Sequence, residues 1–153
     1  MLKSILCVCL LLILAVSGAL AAQKGETTMK IDRLDHLVLT VKDIEKTAQF
    51  YVTVLGMEKE VFGAGRLALK YGNQKINLHQ TGKEFEPKAQ KPTPGSADLC
   101  FITLIPLNDA MAHARSKGVE IIEGPVTRTG ATGKINSFYF RDPDMNLIEI
   151  SNY

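Results

Sequence analysis

Residues 35–57 read DHLVLTVKDIEKTAQFYVTVLGM, and this stretch contains the strand and helix that set the repeating unit of the chain. Leu34, His36, Val38 and Thr40 alternate with Asp35, Leu37, Leu39 and Val41, an apolar-rich run that reads as a strand buried on both faces with His36 inside it. Asp43 follows as a helix N-cap. Ile44, Ala48, Tyr51 and Leu55 then recur at helical spacing until Gly56 supplies the left-handed residue that ends a helix.

Outward from that core, three short strands are expected at Met57–Phe62, Arg66–Tyr71 and Gln74–Gln80, separated by Gly63-Ala64-Gly65 and Gly72-Asn73 turns. Residues 32–81 thus form one βαβββ module. Residues 82–96 hold Gly82, Pro87, Pro92, Pro94 and Gly95 among charged residues of both signs, and read as a solvated linker. The order then repeats over residues 97–153: a strand at Asp98–Ile105, a helix at Pro106–Lys117 closed by Gly118, and strands at Val119–Pro125, Ile135–Arg141 and Leu147–Ser151. An offset of 62 relates His36 to Asp98 and Gly56 to Gly118, and an offset of 70 relates His79 to Glu149. That difference assigns about eight extra residues to the second module, in the Thr127–Lys134 loop. The expected fold is α+β, with paired βαβββ modules forming a cup-shaped mixed sheet.

The 153 residues suffice for one such domain. Before it, Lys3, the apolar run Ile5–Val16 and the small residues Ala19 to Ala22 read as a secretory signal peptide over residues 1–22, with an uncleaved anchor as the alternative. A polar tether, residues 23–31, joins it to the domain. Cleavage removes Cys7 and Cys9, leaves Cys100 alone, and so excludes an intramolecular disulfide. The expected location is secreted or periplasmic, with no membrane association after cleavage. The net charge of +2 is spread over intermixed acidic and basic residues, which excludes a nucleic-acid-binding stripe.

Four metal-competent side chains occupy the first and last strands of the two modules: His36 and His79, Asp98 and Glu149. Each interrupts an apolar strand, where an uncompensated ionisable group is costly to bury. A bound cation would remove that cost, and two imidazoles with carboxylates suit one divalent ion such as Zn, Mn, Ni, Fe or Co. The competing readings are a salt bridge from Glu149 to Lys75 or Arg141, and burial of Cys100 as a small apolar residue. His113 reads as exposed, and Asp142-Pro143-Asp144 as turn chemistry.

Asp35-His36-Leu37-Val38, Phe50-Tyr51, Leu55-Gly56-Met57, the run Phe138 to Asp144 and Asn146-Leu147-Ile148-Glu149 together resemble the glyoxalase I, fosfomycin-resistance and extradiol dioxygenase superfamily. Asn77-Leu78-His79, residues 82–88 and Ser151-Asn152-Tyr153 are similar to a branch of glyoxalase-domain proteins that includes bacterial virulence-type members. The resemblance implies one divalent metal held by His36, His79, Asp98 and Glu149, with Glu149 as catalytic base and Tyr139 as a substrate contact. It implies a small substrate bearing vicinal oxygens and a lyase or isomerase reaction, or else a non-catalytic sequestering module. It also implies a homodimer, which in some relatives exchanges modules so that ligands come from two chains. Asp98 stands where the better-known activities use histidine. Thr129 and Gly133 stand where the phosphonate-binding lysine and serine would be.

Overall fold

The computed structural model describes residues 28–153; the proposed signal peptide and most of the tether lie outside the described residues. Residues 28–35 have no regular structure, and Arg33–Tyr153 forms one compact unit. Its elements are β1 (His36–Val41), α1 (Ile44–Leu55), β2 (Glu58–Phe62), β3 (Arg66–Tyr71), β4 (Gln74–Gln80), β5 (Asp98–Ile102), α2 (Leu107–Ser116), β6 (Glu123–Thr129), β7 (Lys134–Arg141) and β8 (Leu147–Asn152). They form two four-stranded mixed sheets, in the orders β1-β4-β3-β2 and β5-β8-β7-β6. Each sheet has one parallel pair, β1 with β4 and β5 with β8, and is otherwise antiparallel. The paired βαβββ architecture expected from the sequence is present.

Helix α1 starts where its cap chemistry dictates: the Asp43 carboxylate accepts from the Lys46 amide at 3.0 Å. It stops where Gly56, at φ 66°, turns left-handed and returns its amide to Val52 and Tyr51 carbonyls. Thr47, Ala48, Tyr51 and Val54 form its buried face.

A single hydrophobic core draws on both modules. Leu39, Val41, Leu69, Ile76 and Leu78 from the first sheet meet Phe138, Phe140, Ile148 and Ile150 from the second, together with Met111 and Ala114 of α2. Because side chains alternate across a strand, the inward residues leave a second face on each sheet carrying His36, Val38, Thr40, Asn77 and His79, or Asp98, Cys100, Ile102, Tyr139, Glu149 and Ser151. β1 is therefore buried on both faces only over Leu39–Val41; His36 and Val38 are exposed.

Below the core, a buried polar clasp ties the modules together. The Asp142 carboxylate accepts from the Tyr51 hydroxyl at 3.1 Å, from the amides of Asp144 and Asn146 at 2.9 Å each, and from the Asn146 side chain at 2.8 Å. Asp144 in turn accepts from the Lys42 amide at 3.0 Å. The acidic turn is structural, as expected, but its work is between modules as well as within the turn.

Two expectations shift. β5 ends at Ile102 rather than Ile105, and β6 occupies Glu123–Thr129 rather than Val119–Pro125. Val119 and Ile121 pack on the core from a connecting segment, so their apolar alternation imitated a strand. The extra length of the second module consequently sits chiefly in the α2–β6 connection and the β7–β8 turn, not in the short hairpin at residues 130–133.

Candidate metal centre and the open sheet faces

Strand register fixes which site residues stand level. In the first sheet His36 lies opposite Lys75, Val38 opposite Asn77 and Thr40 opposite His79. In the second, Asp98 lies opposite Leu147 and Cys100 opposite Glu149. With His36 matched to Asp98, the counterpart of Glu149 is Asn77, two residues before His79. His79 stands level with a residue four beyond His36, about 13 Å further along at roughly 3.3 Å per residue. Asn77 and Glu149 each stand only two residues beyond their first-strand partners.

Glu149 is half-buried in a nest of donors. The Ser151 hydroxyl donates to it at 3.2 Å, and Ser151 and Ser137 share a hydrogen bond at 2.8 Å. Burial raises the Glu149 carboxyl pKa, but the hydroxyls of Ser137, Tyr139 and Ser151 and the Cys100 thiol outweigh it, and the net position lies below the usual glutamate value. Neither of the alternative salt bridges from Glu149 is present: Lys75 lies over the Phe62 ring at 4.0 Å, and Arg141 donates to the Met145 carbonyl at 3.2 Å. Tyr139 sits between two charges, accepting from Arg128 Nε at 3.1 Å while its phenol faces Glu149. Burial, then Glu149, raise the Tyr139 pKa, and Arg128 opposes them. Arg128 is itself paired with Glu123.

Cys100 is exposed, not buried as a small apolar residue, and its sulfur lies 3.4 Å from Ser151 Oγ. His113 is exposed, as expected. Arg128 and Ser137 were not singled out from the sequence, although Ser137 stands opposite Ser151, which shares the Glu149 face by alternation.

On the first sheet, His36 is exposed, and its Nδ1 lies 2.7 Å from Asp35. Asn77 and His79 are buried, and Asn77 Oδ1 and His79 Nδ1 have no hydrogen-bond partner. Among the described residues, no three His, Cys, Asp or Glu side chains come together closely enough to hold a metal. Within one chain, then, the candidate donors lie on two different sheets: His36 and Asn77 on one, Asp98 and Glu149 on the other. Each pair has an exposed apolar neighbour, Val38 (48% exposed) and Ile102 (50% exposed).

Comparison with known proteins agrees with this architecture. The sequence pattern of the Glyoxalase/Bleomycin resistance protein/Dioxygenase superfamily matches residues 33–150. The virulence protein STM3117 of Salmonella typhimurium is 62% identical over 125 residues, which cover 82% of this chain and 87% of that protein. Glyoxalase domain-containing protein RDO1 of Mycosarcoma maydis is 55% identical over 131 residues, 86% of this chain and 74% of that one. The solved structure of an integron cassette protein from the mobile metagenome of V. cholerae superposes with a TM-score of 0.82 at 66% identity, covering 83% of this chain and 99% of that one. More distant structures share the fold: lactoylglutathione lyase from Agrobacterium tumefaciens, with TM-score 0.62, 20% identity and 81% and 96% coverage, and the antibiotic-binding protein TnmS3 from a Streptomyces species, with 0.64, 23% and 82% and 98%.

Proposed function

The chain belongs to the glyoxalase/bleomycin resistance protein/dioxygenase superfamily, and from that premise we propose that it is a metal-dependent, glyoxalase-like lyase or isomerase acting on a small substrate with vicinal oxygens, in a site completed by a second copy of the chain. The observation that carries this reading is Glu149. Its carboxylate is held in the charged form by neutral donors and has no ion pair with a described lysine or arginine, so it presents an uncompensated negative charge on an open sheet face. A cation is the natural complement.

In this proposal each pair is a half-site, and the half-sites of two protomers face each other. His36 and the Asn77 side-chain oxygen of one join Asp98 and Glu149 of the other around one Zn, Mn, Ni, Fe or Co ion. That ion would supply Lewis acidity toward the two substrate oxygens. Val38 and Ile102 would leave water for the interface between copies. Glu149 is the group placed to take a proton from the substrate, and Tyr139, fixed by Arg128, is placed to contact a substrate oxygen. His79 stands apart from this set by register.

The test combines metal analysis with molecular-mass measurement on the purified protein. A dimer carrying about one divalent ion per chain, with the ion lost in His36→Ala and in Glu149→Gln, is expected. Full metal content in both variants would refute the assignment. The alternative is a sequestering module, favoured by the fold shared with TnmS3; metal-loaded wild type without turnover of a thiohemiacetal, an epoxide or a catechol would select it. Export belongs to the same proposal: the mature, secreted or periplasmic protein should begin just after Ala21 or Ala22, as read by N-terminal sequencing.

A further inference from the structure

We propose that the hollow between α1, α2 and the inward face of the second sheet is a binding site for a small uncharged aromatic molecule of one or two rings, on the opposite side of that sheet from Glu149. The hollow holds about 340 Å³, and its walls include Val54, Met57, Phe101, Ala110, Phe138 and Ile150. Phe138 and Ile150 are register partners, each one residue from the Tyr139 and Glu149 pair, and by strand alternation they face away from the candidate metal donors. The sheet itself separates the two places. Tyr71 and Phe101, both half-buried, and the exposed Ile105 and His113 edge the hollow, so it opens to solvent.

The internal repeat explains why the hollow exists. The offset of 62 that carries β1 onto β5 and Gly56 onto Gly118 also carries Leu39 onto Phe101, Ala48 onto Ala110 and Tyr51 onto His113. In the first module the Tyr51 ring is fully buried beside its helix, with its hydroxyl 3.1 Å from the Asp142 carboxylate at the far end. In the second, His113 is exposed, and α2 faces the hollow with the methyl groups of Ala110 and Ala114. The counterpart of the turn that carries Asp142 is the short Gly72-Asn73 turn, which brings no carboxylate. The hollow is thus the place of a tyrosine ring that the second module lacks, and a flat ring without a required hydroxyl is its complement.

The lining sets the chemistry of the occupant. Tyr71, Phe101, Phe138 and Phe140 border the hollow, and Tyr71 meets Phe101 edge-on at 5.4 Å, an arrangement to which a further ring adds edge-to-face contacts. No described Asp, Glu, Lys or Arg lines it, so a charged molecule would lose hydration with nothing in exchange. Its polar groups sit at the rim. The Thr103 hydroxyl already accepts from the Ile105 amide at 3.2 Å, and burial raises the Tyr71 pKa, which keeps that phenol neutral. An apolar cavity of about 150 Å³ suffices for benzene, so this larger hollow admits up to two fused rings.

The probe is naphthalene, with 2-naphthoate as its charged counterpart. In the full-length protein carrying ¹³C-methyl alanine and methionine, naphthalene should shift the methyl resonances of Ala110, Ala114 and Met57 saturably, and 2-naphthoate should bind at least about tenfold more weakly. Ala110→Phe fills the hollow from α2, and His113→Tyr, at an exposed position that tolerates change, supplies the ring that the first module has. At least one of these variants should abolish the shifts. Glu149→Gln should bind naphthalene as the wild type does, which separates this site from the metal proposal whatever the metal analysis returns. Absence of saturable shifts, equal binding of naphthalene and 2-naphthoate, survival of binding in every folded variant of residues 110 and 113, or its loss in Glu149→Gln would overturn the inference. So would an affinity that falls as protein concentration rises, the result expected if a second copy of the chain fills the hollow.

Discussion

Glu149 and Tyr51 show how differently a single polar side chain can be used in this fold. The Glu149 carboxyl lies below its usual value, so it contributes stability that is present above about pH 4.5, its ordinary pKa, and is lost as pH falls through the lower folded value. In thermal unfolding, the stability difference between wild type and Glu149→Gln should therefore be constant near neutrality and close progressively in acid. Tyr51 is fully buried, and its hydroxyl serves the Asp142 carboxylate. Tyr51→Phe leaves that acceptor short of a donor and should cost about 1–3 kcal/mol in denaturant unfolding. The sequence made His36, Asp98 and Glu149 legible as polar interruptions of apolar strands. It assigned His79 as the counterpart of Glu149; a shift of two residues keeps a side chain on the same face, and only the hydrogen-bonded register with β1 places Asn77 in that position.

At the scale of the element, local chemistry was the better guide. Helix α1 begins and ends at Asp43 and Gly56 because a cap and a left-handed terminus are specified by those residues alone. Asp43→Ala should destabilise the protein by about 1 kcal/mol, measured by chemical denaturation, with no change in the position of the folded baseline. β6 was displaced for the opposite reason. Its bounds depend on which apolar residues the core accepts from the connection, and that is a tertiary decision. The linker at residues 82–96 has no helix or strand, but proline and mixed charge do not reveal that part of it, from Pro87 to Pro92, lies against Val38, Thr40 and His79 of the first sheet. Gly95→Ala should loosen it, since both the positive φ and the Asp144 carbonyl oppose a Cβ. Faster hydrogen exchange of the residue 81–83 amides would report the change.

For the whole molecule, two sheets with one shared core leave two faces unfinished. Ile102 and the fully exposed Leu104 lie together at the end of β5, outside the core. Ile102→Lys should preserve the monomer fold, judged by circular dichroism, while shifting the sedimentation of the proposed dimer toward single chains. The paired modules were readable because each obeys its own local rules twice over. How the candidate donors would be brought together in the proposed dimer was not, since a surface that meets a second copy has no period of its own in the chain.

The Asp142 clasp joins Tyr51 and Lys42 of the first module to the β7–β8 turn of the second, and the core around it is common to both. The covalent link through residues 84–92 is therefore not what holds the halves together. A protease that cuts the chain at Lys88 or Lys91 should yield two fragments that migrate separately only after denaturation, and that melt in one transition beforehand. The same two pieces, made as separate polypeptides and mixed, should reconstitute each other.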